Sequence, residues 1–428
     1  MTAEPASIVA TQEVESAGMS VIASQAPAAP SAVTALLPIM SVVLVAFLII
    51  GMALPVLPLH VQRDLGLGSF AVGLVTGCQF LAALASRMWS GHFSDRRGTK
   101  RAVMAGLLAA VVGGLLYFLS LHFAARPNVS VAILLLGRAL LGGAESFIIT
   151  GGVTWGLVLA GERNAGRVIA WVGMAMFAAL AVGAPLGTAL YRAGGFAAIA
   201  AATTILPLVT IMLVAGLASV TPHHGVRSGL LKVAGAVCMP GLGSALSSIG
   251  FGSMIAFSSL LAVERNWSPI WLLFSAFAAS LVAARLLLGH IPDHLGGARV
   301  ALVSVAIEAV GLALIWAAHD QILAATGAVL AGCGFALVYP ALGVEAVRRA
   351  PRQSHGLAMG AYTAFLDIAL GFGSPALGLV AGWAGLRAVF LAAALIVLCA
   401  AAIATRLLYA SRSSLGDGGI EQTCASAL

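Results

Sequence analysis

Carboxyl and guanidinium groups inside long apolar segments are the first features of this 428-residue chain that could do chemistry. Glu145 and Arg138 are seven residues apart in one segment, which places them two turns apart on one face of a helix. Asp367 lies in another segment, one turn after Thr363, whose hydroxyl group could donate a hydrogen bond to it. An ionisable group in such surroundings is costly and indicates a function such as carrying a proton. The alternatives are a buried structural ion pair for Glu145 and Arg138, and a helix-packing contact for Asp367.

A motif of charged residues and glycines occurs twice in the chain. RMWSGHFSDRRGTKR begins at Arg87, and RLLLGHIPDHLGGAR begins at Arg285, 198 residues later, with the arginines, Gly-His, aspartate and glycine at the same offsets. An acid surrounded by bases on a short loop could form a breakable latch between helices. We expect Gly91 to permit close helix contact and Asp95 to cap the helix that follows. The alternative is a topology signal with a turn.

The elements that position these residues must be hydrophobic helices. The chain is 61% hydrophobic and 9% charged, with a mean hydropathy of +1.04, whereas soluble domains contain about 25% charged residues. Only a lipid bilayer suits this composition. The net charge of +7 comes from basic clusters between apolar segments, as orientation in a membrane requires, and does not indicate a nucleic-acid partner. The five cysteines show no CxxC spacing, so we expect neither disulfides nor a metal site.

Twelve apolar stretches are long enough to cross a bilayer as helices, which takes about 20 residues each. The longest connection, 220–233, separates six of them from six. We therefore predict an all-α membrane protein of twelve transmembrane helices in two pseudo-symmetric halves, 33–219 and 234–409. Residues 1–32 are rich in alanine, serine and proline and lack the basic start of a signal peptide, so we expect a disordered tail, and 410–428 form a second tail.

Lysine and arginine are distributed unequally between the two ends of the predicted helices. One set of alternate connections, with the C-terminal tail, holds fourteen of them, and the opposite set holds five. Basic residues are enriched on the cytoplasmic side of membrane proteins. We therefore expect both termini, both tails and the 220–233 loop to be cytoplasmic.

The similarity between the halves extends beyond the charged motif. Two glycines and a proline of the fifth helix recur 190 residues later in the eleventh: Gly166, Gly183 and Pro185 match Gly356, Gly373 and Pro375. Parallel repeats of six helices, related by an axis along the membrane normal, are a transporter architecture with a central site between the halves.

Three short motifs carry a resemblance to a known family. GHFSDRRGTK, from Gly91 to Lys100, resembles the GxLaDrxGrk signature of the major facilitator superfamily, with Phe93 and Thr99 as departures. RALLG, from Arg138 to Gly142, is similar to the RxxqG motif of its fourth helix. GAPLG, from Gly183 to Gly187, resembles the GPxxG element of its exporters. Longer stretches, such as LLLGRALLGGAESF and YTAFLDIALGFGSP, resemble the YhhS-like branch of proton-coupled exporters.

The resemblance implies a cavity lined by the first, fourth, seventh and tenth helices. On that basis Glu145 and Arg138 face the substrate or a proton path, and we assign proton coupling to Glu145, Asp367 and Arg138, with Glu145 as the principal carboxyl. Glu308, in the peripheral ninth helix, is expected to be a structural or neutral carboxyl.

We assign roles to three further groups of residues from their positions and from this resemblance. Arg87 and Arg285 could extend towards the cytoplasm and take part in a gate. The residues assigned to the cytoplasmic gate are Arg87, Gly91, Asp95, Arg96, Gly98, Lys100, Arg285, Gly289 and Asp293. The exporter-like motif of the fifth helix contributes Gly183, Pro185 and Gly187. Side chains that could line a substrate cavity, or simply pack, are Trp155, Ser247, Tyr339 and Tyr362.

The resemblance implies a secondary active transporter of the bacterial inner membrane. We expect proton-coupled efflux, by antiport and alternating access, of a small organic compound or drug. The alternative is a proton symporter that imports a sugar or organic acid. A membrane enzyme or receptor fits less well, because no nucleophile–base pair or metal cluster is evident. No Walker loop is present, so the proton gradient is the expected energy source, without a cofactor. The expected partners are the substrate, protons and the bilayer, and we expect the monomer to be functional.

Overall fold

The computed structural model describes residues 32–160, 165–217, 230–350 and 355–425. Twelve long helices follow one another in this part of the chain, and the prediction of an all-α membrane fold is confirmed. Ten of them are α1 Ala32–Ala53, α2 Ser69–Arg97, α3 Thr99–His122, α4 Pro127–Ala160, α7 Leu230–Glu264, α8 Leu272–Leu288, α9 Gly297–Ala317, α10 Gln321–Arg349, α11 His355–Ala384 and α12 Leu386–Ala425. The other two, α5 and α6, are the parts of helix Ala165–Ala215 before and after the break at Gly194 and Gly195.

Length and hydropathy qualify most of these helices as membrane spans. Ten segments among the described residues are long and apolar enough to cross a bilayer, with α5 and α6 counted as one, while α8 is apolar but shorter. Two short helices, Leu57–Leu59 and Ile291–Leu295, and a π-helical turn at His60–Asp64 lie between the long ones.

The boundary between α5 and α6 is made by two glycines. Gly194 and Gly195 depart from helical geometry, and Gly195 has φ 61° and ψ −160°. A side chain is strongly disfavoured in that conformation, so glycine allows the chain to reverse between two antiparallel helices without a longer loop.

The duplicated motif folds in the same way in both halves. Gly98 precedes α3 with φ 93°, and Gly296, 198 residues later, precedes α9 with φ 87°. In both copies the positive φ turns the chain into the next helix, a turn that favours glycine. Asp95, however, lies within α2, and α3 begins without a side-chain cap, so the predicted capping role of Asp95 is not observed.

The lysine of the first motif copy connects two helices of its own half. Lys100 Nζ donates hydrogen bonds to the carbonyl oxygens of Ala215, at 2.7 Å, and Leu217, at 2.5 Å. These carbonyls lie at the end of α6, where the helix dipole favours a positive charge. Lys100 therefore fixes the start of α3 against the end of α6.

Small residues allow the helices of each half to approach closely. A Cβ atom at Gly183 would collide with the backbone of Gly51, and one at Gly187 would collide with the backbone of Met52. The exporter-like motif of α5 is thus the surface on which α1 packs. Such contacts between small residues drive helix association in a bilayer, where apolar burial contributes little.

The two halves are closed against each other at one end of the bundle. At the start of α2 and the end of α11 the backbones approach so closely that a Cβ atom at Gly73 would collide with Ser374, and one at Gly378 would collide with Ser69. This end lies beside the connection between α1 and α2, opposite the end that carries the duplicated motif.

Candidate functional site

A cavity of about 300 Å³ lies between the two halves. Helices α1, α2, α4 and α5 of the first half and α7, α8, α10 and α11 of the second half contribute to its walls. Most of the lining is aliphatic or aromatic, and the aromatic residues are Phe47, Phe80, Phe177, Phe251, Phe335 and Tyr339. The polar residues are Gln79, Arg87, Glu145, Ser146, Arg285, Thr363 and Asp367. A largely apolar site with a few convergent polar groups suits a small organic ligand.

Arg87 and Asp367 join the halves across this cavity. Arg87 Nη2 lies 2.6 Å from Asp367 Oδ2, and Arg87 Nε donates to the same oxygen at 2.7 Å. The Asp367 side chain is 3% exposed and that of Arg87 is 29% exposed. The guanidinium group of Arg87 is therefore held inside the cavity by Asp367. Thr363 bonds to Tyr339 and its own helix, not to Asp367 as expected.

Arg285 lies in the opposite wall with a different partner. Its guanidinium carbon lies 4.9 Å from the centre of the Phe177 ring. Nε and Nη2 donate to the carbonyl oxygen of Ala336, at 3.4 and 3.2 Å. Among the described residues, no carboxylate lies within ion-pair distance of Arg285. The contacts with Phe177 and Ala336 turn its guanidinium group into the cavity.

The internal repeat relates these two arginine contacts to each other. Arg285 follows Arg87 by 198 residues, the offset of the duplicated motif, and Asp367 follows Phe177 by 190, the offset between α5 and α11. Each arginine thus meets the corresponding helix of the other half, but one meets a carboxylate and the other an aromatic ring.

Glu145 is the second carboxyl group in the cavity. It accepts a hydrogen bond of 2.8 Å from Gln79 Nε2, and Gln79 itself is buried on α2. Both residues line the cavity, as does Ser146, whose hydroxyl group lies 3.1 Å from that of Ser90. Glu145 therefore lies on the cavity wall, and its role in proton coupling stays a prediction.

Arg138 is not brought to the cavity. Its side chain is fully buried between helices, and Nε donates to the carbonyl oxygen of Val75 at 3.3 Å. No ion pair joins it to Glu145 in the part of the chain that the structure describes. Arg138 and Glu145 are two helical turns apart along α4, about 10.5 Å at 1.5 Å per residue. Although they lie on one face of the helix, this distance is too long for an ion pair between them.

Three of the four side chains expected at a substrate cavity lie elsewhere. Tyr339 lines the cavity. Tyr362 is buried behind it and donates to the Tyr339 carbonyl oxygen at 2.8 Å. Ser247 is buried and donates to Glu308, a fully buried carboxyl group, and Trp155 is buried as well. Tyr362, Ser247 and Trp155 therefore pack within one half of the protein, which was the alternative to a role in the substrate cavity.

The remaining residues of the duplicated motif lie at the end of the bundle opposite the closed one. Asp95 and Arg96 are exposed on the last turn of α2. A Cβ atom at Gly91 would meet no atom within 4 Å, so the close helix contact expected there is not formed. At Gly289 a Cβ atom would meet only the carbonyl of Arg285 in its own helix. The side chain of Asp293 lies outside the described part of the structure.

The family follows from the sequence as well as from this architecture. The sequence model of the Major Facilitator Superfamily matches residues 39–262 and 240–419, which together cover most of the chain. The chain belongs to the major facilitator superfamily. It is a multi-pass membrane protein and a secondary transporter, not an enzyme.

Relatives within the major facilitator superfamily match nearly their whole length. An MFS-type transporter of Salmonella typhimurium strain LT2 is 41% identical over 362 residues, 85% of this chain and 93% of the relative. One of Burkholderia mallei strain SAVP1 is 39% identical over 411 residues, 93% of this chain and 98% of the relative. The solved structure of the xylose transporter XylE from E. coli, partially occluded and inward open, has a TM-score of 0.70 at 12% identity, with 87% and 98% coverage.

Sequence reasoning missed Gln79 and Phe177 as residues of the site. Gln79 is an isolated amide within α2, and nothing local distinguishes it from a packing residue. Phe177 could have been found, since the 190-residue offset makes it the repeat partner of Asp367. The comparison of the two halves is thus a usable signal for superfamily members with a visible internal repeat.

Proposed function

We propose that this protein is a proton-driven exporter of the bacterial inner membrane, related to the YhhS-like branch, which moves a small organic compound out of the cell by antiport and alternating access. The observation that carries the proposal is the Arg87–Asp367 ion pair, which joins the two halves inside the cavity. The excess of basic residues leads us to assign both termini and the basic loops to the cytoplasm, so that the closed glycine-lined end of the bundle would face outwards.

The ion pair makes the position of the halves sensitive to protons. α2 and α11 are in backbone contact at the closed end, and further along, inside the cavity, they are connected by this pair. Protonation of Asp367 removes its charge and weakens the pair. A ligand shifts a conformational equilibrium by its differential affinity for the two states, and here the proton is such a ligand. A proton that binds one state better therefore drives the movement of the halves.

Glu145 gives the substrate a means to exchange with a proton. It lies in the same cavity as the apolar lining that would bind an organic compound, and its only described hydrogen-bond donor is Gln79. A substrate that needs the ionised carboxylate competes with the proton for it. We assign the principal coupling role to Glu145 and the control of the halves to Asp367.

The duplicated motif serves as the cytoplasmic gate in this proposal. Asp95 and Arg96 carry exposed charges at the open end of α2, free to pair when the cytoplasmic ends of the halves approach. Lys100 holds α3 against α6, so that this end of the first half moves as a unit. The opposite motif copy takes the same place in the second half.

A proton symporter that imports an organic acid is the second candidate, and Arg285 favours it. With Arg87 paired to Asp367, Arg285 is a cavity-lining cation that lacks a carboxylate partner among the described residues. An anion bound there and a proton bound to Glu145 would stabilise each other, which is the requirement of symport.

Proton movement in inside-out vesicles separates the two candidates. Respiration acidifies the lumen, a pH-sensitive dye records it, and compounds are added to the outside. An antiporter carries the compound inwards and protons outwards, so the dye signal should recover in vesicles with the wild type and not with Asp367→Asn. Recovery only when the compound is preloaded in the lumen would contradict export and support symport.

A further inference from the structure

The two halves of the cavity are equivalent in fold but unequal in charge. The pseudo-symmetry pairs Arg87 with Arg285 and Asp367 with Phe177. Arg87 therefore has its counter-ion within the protein, at 2.6 Å, whereas the position that would hold the counter-ion of Arg285 is a phenyl ring. One carboxylate is missing from an otherwise repeated arrangement.

The Arg285 guanidinium group lines the cavity and has N–H donors that are not used by the recorded hydrogen bonds. A guanidinium group has five N–H donors, and two hydrogen bonds to Ala336 are recorded for Arg285. Nη1 lies near Gly173, another cavity-lining residue, since a Cβ atom added there would be 4.0 Å from it. A planar guanidinium group with a free edge binds a carboxylate through paired hydrogen bonds.

The rest of the wall fits the body of such a ligand. Phe177, Phe251 and Phe335 lie together beside Arg285, with ring centres 6.5 Å apart for Phe177–Phe251 and 5.1 Å for Phe251–Phe335. An aromatic or branched apolar group packs against these rings while an acid group reaches the arginine.

We propose that the transported compound is an organic anion with an apolar body, whose acid group pairs with Arg285 at the place that Asp367 occupies at Arg87. This inference rests on the proposed function only in placing the substrate in this cavity. It also relates charge to coupling: under the proposed antiport the compound carries a cationic group as well, which competes with the proton at Glu145. An anion without such a group would bind together with the proton and be carried by symport.

Three compounds with one body and different charge test the proposal without a gradient. Binding of 3-phenylpropionate, 3-phenylpropanamide and 3-phenylpropylammonium to the purified full-length protein in detergent is measured by calorimetry at neutral pH. We expect the carboxylate to bind at least about tenfold more tightly than the amide, the effect of a hydrogen bond to a charged group. Equal or tighter binding of the amide or the ammonium compound, or no binding of the carboxylate, would overturn the proposal.

Two variants change the charge balance at the Arg285 site in different ways. Arg285→Gln removes the cation, and Phe177→Asp supplies the missing carboxylate within the protein. Both should abolish the preference for the carboxylate over the amide, while Phe177→Asn, which removes the ring without adding charge, should keep it. A preference that persists in Arg285→Gln would overturn the proposal. If the preference behaves as expected but no proton-driven transport is found in vesicles, the proposed function fails and the anion site stands.

Discussion

Arg87 and Asp367 are 280 residues apart in the sequence and lie 2.6 Å apart across the interface of the two halves. The pair lies inside the cavity, towards the end where the duplicated motif and the basic loops are found. At the opposite end, backbone contacts at glycines hold the halves together. The charge of one carboxyl group is thereby connected to the relative position of two six-helix units.

Exchanging the two charges tests this connection. Arg87→Asp and Asp367→Arg should each lower the free energy of unfolding by about 1.5–3 kcal/mol, the contribution of a hydrogen bond to a charged group. The double variant should recover much of that loss, because the pair can form in the reverse order. Thermal unfolding of the purified proteins gives the coupling energy, and additive losses would show that no such interaction exists.

Replacement of Glu145 by glutamine separates substrate exchange from proton coupling. Glutamine keeps the size of the side chain and its hydrogen-bonding capacity but cannot release a proton. We expect Glu145→Gln vesicles to exchange substrate across the membrane and to lose accumulation against a gradient, both measured with a labelled compound. Asp367→Asn provides the comparison. Accumulation at the wild-type rate in Glu145→Gln would transfer the coupling role to Asp367.

The helical framework could be predicted from the sequence because it is specified locally. Apolar length gives the spans, and the glycines at 98 and 296 mark the turns of the duplicated motif. The partner of Asp367 could not be predicted in this way, since Thr363 is near in sequence whereas Arg87 belongs to the other half. Contacts between halves depend on how two large units dock, and no local pattern records that.

The burial of Arg138 shows the same limit at shorter range. The seven-residue spacing places Arg138 on the same face of α4 as Glu145, but the cavity lies along only part of that face. The side chain instead reaches α2 at Val75. The extent of a cavity along a helix is set by neighbouring helices, so residues on one stripe can have different surroundings.

The glycines of the exporter-like motif and of the duplicated motif should differ in their tolerance of a side chain. Gly187→Ala places a methyl group against the Met52 backbone and should destabilise the protein by about 1–3 kcal/mol, the usual cost of overpacking. Gly91→Ala meets no atom within 4 Å and should leave the melting temperature nearly unchanged. Thermal unfolding in detergent measures both. Similar melting temperatures for the two variants would contradict the packing of α1 on α5.

Reporter fusions test the orientation on which the direction of transport depends. Fusions of alkaline phosphatase after residues 97, 295 and 412 should be inactive, since these positions lie on the side that is rich in basic residues, which we predict to be cytoplasmic. Fusions after 66, 125 and 267 should be active. Active phosphatase at two or more of the first three sites would invert the assignment and with it the side to which the cavity opens.

The distance between the end of α2 and the short helix Ile291–Leu295, both at the end of the bundle that carries the duplicated motif, tests the central claim most directly. Spin labels at the exposed, repeat-related positions Arg97 and Leu295, in a protein without its native cysteines, report that distance by double electron–electron resonance. As the pH falls, protonation breaks the Arg87–Asp367 pair, and the distance distribution of the wild type should change. Asp367→Asn should show the low-pH distribution at every pH. An Asp367→Asn titration identical to that of the wild type would contradict the claim that this ion pair couples protons to the movement of the halves.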